Sequence, residues 1–106
     1  MATPLTLTTD QRDDGVPRVV VTGEIDLSNV RTFTEALTAA SESAEGAVAV
    51  DLAGVKYLDS SAINALFAHT DRVARLHLVV NPFLMPVLRI SGLTELATIE
   101  STPGPA

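Results

Sequence analysis

Cysteine is absent from this chain of 106 residues. That excludes a disulfide scaffold, a thiol nucleophile, and zinc or iron–sulfur sites held by thiolates. Tryptophan is also absent, and one tyrosine and three phenylalanines leave no stacking platform for single-stranded nucleic acid. Two histidines, His69 and His77, are too few for a histidine-rich metal site. Cations are scarce: six arginines and the single Lys56 face thirteen acids, for a formal charge of −6. This balance opposes both the phosphate backbone of nucleic acid and the anionic face of a membrane. No run approaches the roughly eighteen consecutive apolar residues of a spanning helix. The first five residues carry neither a basic nor an apolar leader, Arg12 being the first cation. The expectation is a cytoplasmic protein that engages neither nucleic acid nor membrane.

What remains is an ordinary globular composition, 46% hydrophobic and 19% charged. The length suits one domain that hides about two-thirds of its unfolded surface. We find no internal repeat and no linker, so a single domain is expected over 1–106. Its ordered part covers about 5–100, followed by a Pro/Gly tail over 101–106.

Short runs rich in branched residues alternate with stretches of helical period. Leu5 to Thr9 alternates like a strand covered on one face. Asp13-Asp14-Gly15 reads as a hairpin turn, and Arg18 to Ile25 is continuously apolar in its middle, as in a strand covered on both faces. Ser28 is placed to cap a helix from about Asn29 to Glu45, with Val30, Phe33, Leu37, Ala40 and Ala44 on its inner face and Gly46 at its end.

A third strand follows over 47–52, and Gly54 marks a turn. The second helix runs from the Asp59-Ser60-Ser61 junction to about Arg75, turning Ile63, Leu66, Phe67, Thr70, Val73 and Ala74 inward. Its outer side carries Ser61, Asn64, Ala65, Ala68 and Arg72, small and polar residues that let a partner approach closely. Leu76 to Val80 is a fourth strand. Asn81-Pro82 opens a third helix that ends at Ser91-Gly92-Leu93. Leu96 to Ile99 is a last short strand. The order implies an α/β fold with a mixed sheet of four to five strands and three to four helices.

The segment Asp51 to Ala62 carries the most information, because it delivers the chain from a strand to a helix N-terminus with an acid and two hydroxyls at the junction. Such junctions lie beyond the carboxyl ends of strands, where ligands bind in open α/β sheets. The helix dipole there tolerates a phosphoryl group. Asp and Ser are also preferred N-caps, so the same residues satisfy a purely structural role. As a hydrolase triad, Ser60, Asp59 and His69 fail on geometry. Nine residues along one helix separate Ser60 from His69 by roughly 13 Å and turn them to opposite sides, and no Gly-x-Ser-x-Gly elbow occurs. His69 and Asp71 diverge on the helix, His77 lies on a strand, and no phosphate-binding glycine loop is present. Glu24 and Asp26 pair two acids at a strand end, as a carboxylate site or as solvated acids. No metal, cofactor or catalytic residue is expected.

Taken together, these residues resemble the anti-sigma factor antagonists, bacterial single-domain members of the STAS family. Gly23-Glu24-Ile25-Asp26 is similar to that family's Gly-Glu-hydrophobic-Asp. Asp51 to Ala62 is similar to its signature of Asp-Leu leading to hydrophobic-Asp-Ser-Ser-Gly, with Ala62 in place of the glycine. Pro82 and the short helix to Gly92 match its third helix, with Pro86 as a departure inside it. The resemblance implies a STAS-like fold and a binder rather than an enzyme. It implies an anti-sigma factor with serine kinase activity as partner, phosphorylation at Ser60 (Ser61 as the alternative), and a serine phosphatase that reverses it. A partner surface of Asp26, Asp59, Ser60, Ser61 and Asn64 goes with it. The rival expectations are a non-switching STAS scaffold and a small-ligand sensor near Asp26 and Asp59.

Overall fold

The computed structural model describes residues 4–43 and 46–102. The chain runs β1 (Thr6–Gln11), β2 (Pro17–Ile25), α1 (Val30–Ser43), β3 (Ala47–Leu58), α2 (Ser60–Thr70) and β4 (Arg75–Val80). A 3-10 turn (Pro82–Leu84), α3 (Met85–Ser91), a second 3-10 turn (Leu93–Glu95) and β5 (Thr98–Ser101) complete it. The five strands form one sheet in chain order. β1 is antiparallel to β2 and every other neighbouring pair is parallel. The expected mixed α/β sheet is therefore present, with three α-helices among the described residues where three to four helices were expected.

All three helices contribute to one buried cluster with one face of the sheet. Phe33 and Leu37 of α1, Leu66 of α2 and Leu88 of α3 meet Val19, Val21, Ile25, Val50, Leu52, Leu78 and Val80 of the strands. Burying each such side chain is worth about 1.5–3 kcal/mol. The opposite face carries no helix, and this corrects the expectation that β2 is covered on both sides. Along β2, Val19, Val21 and Ile25 are buried, while Val20 is half-buried and Thr22 exposed. The continuous apolar run hides a one-sided alternation, because Val20 lies beside Thr8 of β1 on the helix-free face.

Three further expectations change. Gly54 does not turn the chain but lies inside β3, which continues to Leu58. Two irregularities in the β2–β3 register each give β3 one extra residue, and such bulges keep a strand paired while bending it. Gly54 faces Thr22, and a Cβ there would stand 2.8 Å from Thr22 Cγ2. The second helix stops at Thr70 rather than near Arg75. The Arg75 amide is already bound to Gly46 O and pairs the next strand with β3. That leaves 71–74 as the connecting turn, so Val73 is only half-buried and Ala74 exposed. Of the expected inner face, Ile63 and Leu66 are buried and Phe67 is half-buried against the core, and His69 joins them.

Pro86 sits in the first turn of α3, where a missing amide costs no helical bond, and the 3-10 turn before it absorbs the change. Gly92 closes α3 in the left-handed conformation, as its sequence position implies. β5 includes Ser101, and the Thr102 amide donates to Val80 O. Ala44, Glu45 and the last four residues of the expected tail, 103–106, lie outside the described residues.

Asn81 locks the third helical segment to the sheet. Its Oδ1 accepts the Phe83 amide at 3.0 Å, while Nδ2 donates to Ala53 O at 3.1 Å and Val55 O at 2.7 Å. Those carbonyls belong to the bulged part of β3. Asn81→Ala removes a cap and leaves two carbonyls short, so it should cost about 2 kcal/mol. Urea denaturation of the variant against wild type measures this. A loss below about 0.5 kcal/mol would show that water replaces the amide.

Candidate functional site

The site lies where β2 and β3 end side by side. Ile25 pairs with Leu58, so the next residues, Asp26 and Asp59, leave the sheet at the same edge. Asp59 is the N-cap of α2, with extended φ and ψ of −104° and −173°. Its Oδ1 accepts the Ser61 amide at 2.9 Å, the Ala62 amide at 3.3 Å and the Ser61 hydroxyl. Its Oδ2 accepts the Leu27 amide at 3.2 Å, and its own amide donates to Ile25 O at 3.2 Å. One carboxylate thus caps a helix and ties the β2–α1 loop to the β3–α2 junction. The Ser61 hydroxyl is the main cause that holds the Asp59 carboxyl below its ordinary pKa. The Ala62, Ser61 and Leu27 amides add to this against the opposing effect of burial.

Asp26 shapes the other loop. Its Oδ1 accepts the Ser28 amide at 2.9 Å and the Ser28 hydroxyl, and its carbonyl accepts the Asn29 and Val30 amides. This corrects the expected helix cap: Ser28 donates its hydroxyl to Asp26 rather than accepting from the first turn of α1. An Asx turn competes well for a nearby serine. Asn29, missed at the sequence level, completes the loop. Its Oδ1 accepts the Asp26 amide at 3.0 Å and its Nδ2 donates to Glu24 O at 2.9 Å. A side-chain amide that bonds to the backbone on both sides of a strand end has no periodic signature, so only the turn-forming character of Asp and Asn pointed to it.

The two serines differ. Ser61 is half-buried and its hydroxyl is bound to Asp59. Ser60 is exposed at the first position of α2, and its hydroxyl takes part in none of these bonds. Asn64, one turn further along α2, is exposed, and Leu27 on the facing loop is 78% exposed. The structure therefore gathers Asp26, Asp59, Ser60 and Ser61 at one edge with Asn64 beside them. His69 is not among them. Its ring is buried, with Nδ1 3.0 Å from Ala65 O and Nε2 3.4 Å from Thr38 Oγ1 of α1. Glu24 sits one strand position before the loop with its carbonyl engaged by Asn29. Among the described residues, no group of three or more His, Asp or Glu side chains is arranged to hold a metal ion. No helix among them is long and apolar enough to cross a membrane.

The lowered Asp59 carboxyl has a consequence for stability. A group whose folded pKa is depressed stabilises the fold above its unfolded value, about 3.9 for aspartate, and loses that contribution as pH falls through the folded value. Asp59→Ala should cost about 1–2 kcal/mol at pH 7, the usual worth of a carboxylate cap. The gap between variant and wild type should narrow below pH 4. Thermal unfolding at pH 7 and pH 3 checks both the sign and the narrowing, and a gap that widens in acid would contradict the assignment.

The family model described as "Mlab, STAS domain" matches residues 8–99. The chain belongs to the STAS domain family. Its fold is that of solved anti-sigma factor antagonists. The antagonist from Mycobacterium paratuberculosis superposes with a TM-score of 0.86 at 24% identity, over 93% of this chain and 87% of that one. The anti-sigma factor antagonist SpoIIAA in its unphosphorylated form gives 0.75 at 15% identity, over 92% and 89%. The Bacillus cell fate determinant SpoIIAA in the phosphorylated form gives 0.61 at 17%, over 94% and 92%. No curated protein matches the sequence.

Proposed function

We propose that this chain is an anti-sigma factor antagonist that works by partner switching. Unphosphorylated, it binds an anti-sigma factor that is also a serine kinase, and the sigma factor is released. Phosphorylation at Ser60 ends the binding and a serine phosphatase restores it. The chain is then a substrate and a binder in the cytoplasm, not an enzyme.

The observation that carries this reading is the contrast between the two serines. Ser60 offers an exposed hydroxyl at a helix start, where the dipole tolerates a phosphate. The Ser61 hydroxyl is already spent on Asp59, and a phosphate there would meet a carboxylate that caps the same helix. Support also comes from the fold shared with SpoIIAA, whose structure is known in both an unphosphorylated and a phosphorylated form. Asp26, Asp59, Ser60, Ser61 and Asn64 form the docking surface in this reading. A phosphate adds about 1.5–2 negative charges to that acidic surface, and the switch is local repulsion and bulk without refolding.

Phosphosite mapping by mass spectrometry on protein isolated from its native host, before and after phosphatase treatment, tests it. A phosphatase-sensitive phosphoryl group on Ser60 is the expected result. Absence of the modification across growth and stress conditions, with the peptide fully covered, would sink the switch and favour a scaffold role.

A further inference from the structure

At the end of the sheet opposite Asp59, the β1–β2 turn folds over the helix-free face. Arg12 reaches from this turn to His77 on β4, with Nη1 2.7 Å from His77 Nδ1. Its Nη2 donates to Asp14 Oδ2 at 2.7 Å within the turn. On the other side of the ring, His77 Nε2 stands 3.4 Å from Glu100 Oε2 of β5. Beneath the bridge Ala49 sits in register between Arg18 and His77. It is only 2% exposed although it lies outside the helix-side core cluster. It lines a cavity of about 470 Å³ together with Gln11 at the end of β1, Arg12 to Asp14 of the turn, and Arg18, Asp51, His77 and Glu100 of the sheet.

The chemistry of the bridge fixes the state of the ring. A guanidinium has donors and no acceptor, so Nδ1 must be bare to receive Arg12. The neutral ring then carries its proton on Nε2, where it points to Glu100. A second proton can be added only at Nδ1, where it replaces an acceptor by a donor and sets two cations face to face. The imidazolium still has Glu100 as a counter-ion on its other side.

We propose that His77 is a proton-operated latch: neutral, it holds Arg12 and keeps the β1–β2 turn on the sheet; protonated, it pairs with Glu100, releases Arg12 and lets the turn lift from the cavity. The charged groups around the ring are Arg12, Asp13 and Asp14 of the turn, Arg18 of β2, Asp51 of β3, Arg75 of its own strand and Glu100 of β5. Carboxylates and guanidinium groups keep their charge from about pH 5.5 to 8, and histidine is the side chain that changes there. Arg12 leaves together with Asp14, so the turn moves as a unit and its internal bonds, Arg12 to Val16 and Gly15 to Arg12, are kept.

Nuclear magnetic resonance of the whole chain tests the latch. At about pH 8 the ring nitrogens should report a bare Nδ1 and a protonated Nε2. On acidification to about pH 5.5, amide shifts over 12–16 should move with the same midpoint as the His77 ring. Relaxation of the Ala49 methyl by a soluble gadolinium chelate should rise at least about twofold as its cover lifts. In His77→Gln both transitions should vanish, whatever His69 does. A proton on Nδ1 at pH 8, a turn that stays still while the ring titrates, or a transition that survives in His77→Gln would each overturn the proposal.

Discussion

In the partner-switching reading proposed above, replacing Ser60 by glutamate should weaken binding of the anti-sigma factor by at least about 100-fold, close to 2.7 kcal/mol, whereas Ser60→Ala should stay within about threefold. Ser60 is exposed and contributes no side-chain bond to the fold, so neither change disturbs the domain. What changes is the surface. Asp26 and Asp59 already place two carboxylates at the mouths of adjacent loops, and like charges set together at an interface cost several kcal/mol. Titration calorimetry with the cognate anti-sigma factor separates the two contributions. Repulsion is screened, with a Debye length that shrinks from about 10 Å at 0.1 M salt to 3 Å at 1 M. Bulk is not screened. Partial recovery of Ser60→Glu binding in high salt therefore measures the electrostatic share. Ser61→Glu behaves differently, since the new carboxylate displaces the hydroxyl that supports Asp59. It should lower thermal stability as well as binding. If Ser60→Glu bound as tightly as wild type, a scaffold that ignores charge at this position would be the better description.

Much of this arrangement was legible in the sequence, for reasons that differ between elements. The helix starts announce themselves because capping chemistry is local. Asp59 before an apolar helix and Asn81 before a proline each read correctly, and so does Gly92 at the end of α3. The alternation of strands and helices pointed to a mixed sheet with parallel neighbours, since these need crossovers, but the order of the strands came from the structure. Features that depend on a distant partner were not legible. Gly54 reads as a turn because glycine punctuates sequences, yet its place is set by Thr22 on another strand. Ser28 reads as a cap because serine favours that position, yet Asp26 two residues earlier claims its hydroxyl. The valines of β2 read as buried on both sides because hydropathy does not record which face receives the helices. His69 and the Arg12–His77 bridge join residues 31 and 65 positions apart, and no periodicity reports such contacts. At the candidate site the residue types and their order were readable from the motif. The division of labour between Ser60 and Ser61 was not, because it depends on where Asp59 points.

Gly23→Ala should be the most damaging single-atom change near the site, at about 3 kcal/mol. Gly23 stands in β2 with φ at 96°, a region that costs an L-residue about 1–2 kcal/mol. The added Cβ would lie 2.1 Å from Pro4 O and 3.0 Å from Pro4 C. Both are backbone atoms, so no rotamer change relieves the overlap. The chain at Pro4 must move away, and with it Leu5, which packs against the core. Strain from overpacking adds about 1–3 kcal/mol. Gly15→Ala provides the control, since Gly15 has a similar φ of 85° but nothing within 4 Å of an added Cβ. It should lose only about 1 kcal/mol, and the difference between the two variants isolates the clash from the conformational cost. For a domain of this size, 3 kcal/mol corresponds to a fall in Tm of about 12–24 °C, readily seen by calorimetry. The glycine of Gly23-Glu24-Ile25-Asp26 thus has a steric role: it leaves room for the Pro4 backbone against β2 just before the strand delivers Asp26 to the loop. If Gly23→Ala melted within a few degrees of Gly15→Ala, the approach of Pro4 would carry no weight, and the requirement for glycine would be one of backbone conformation alone.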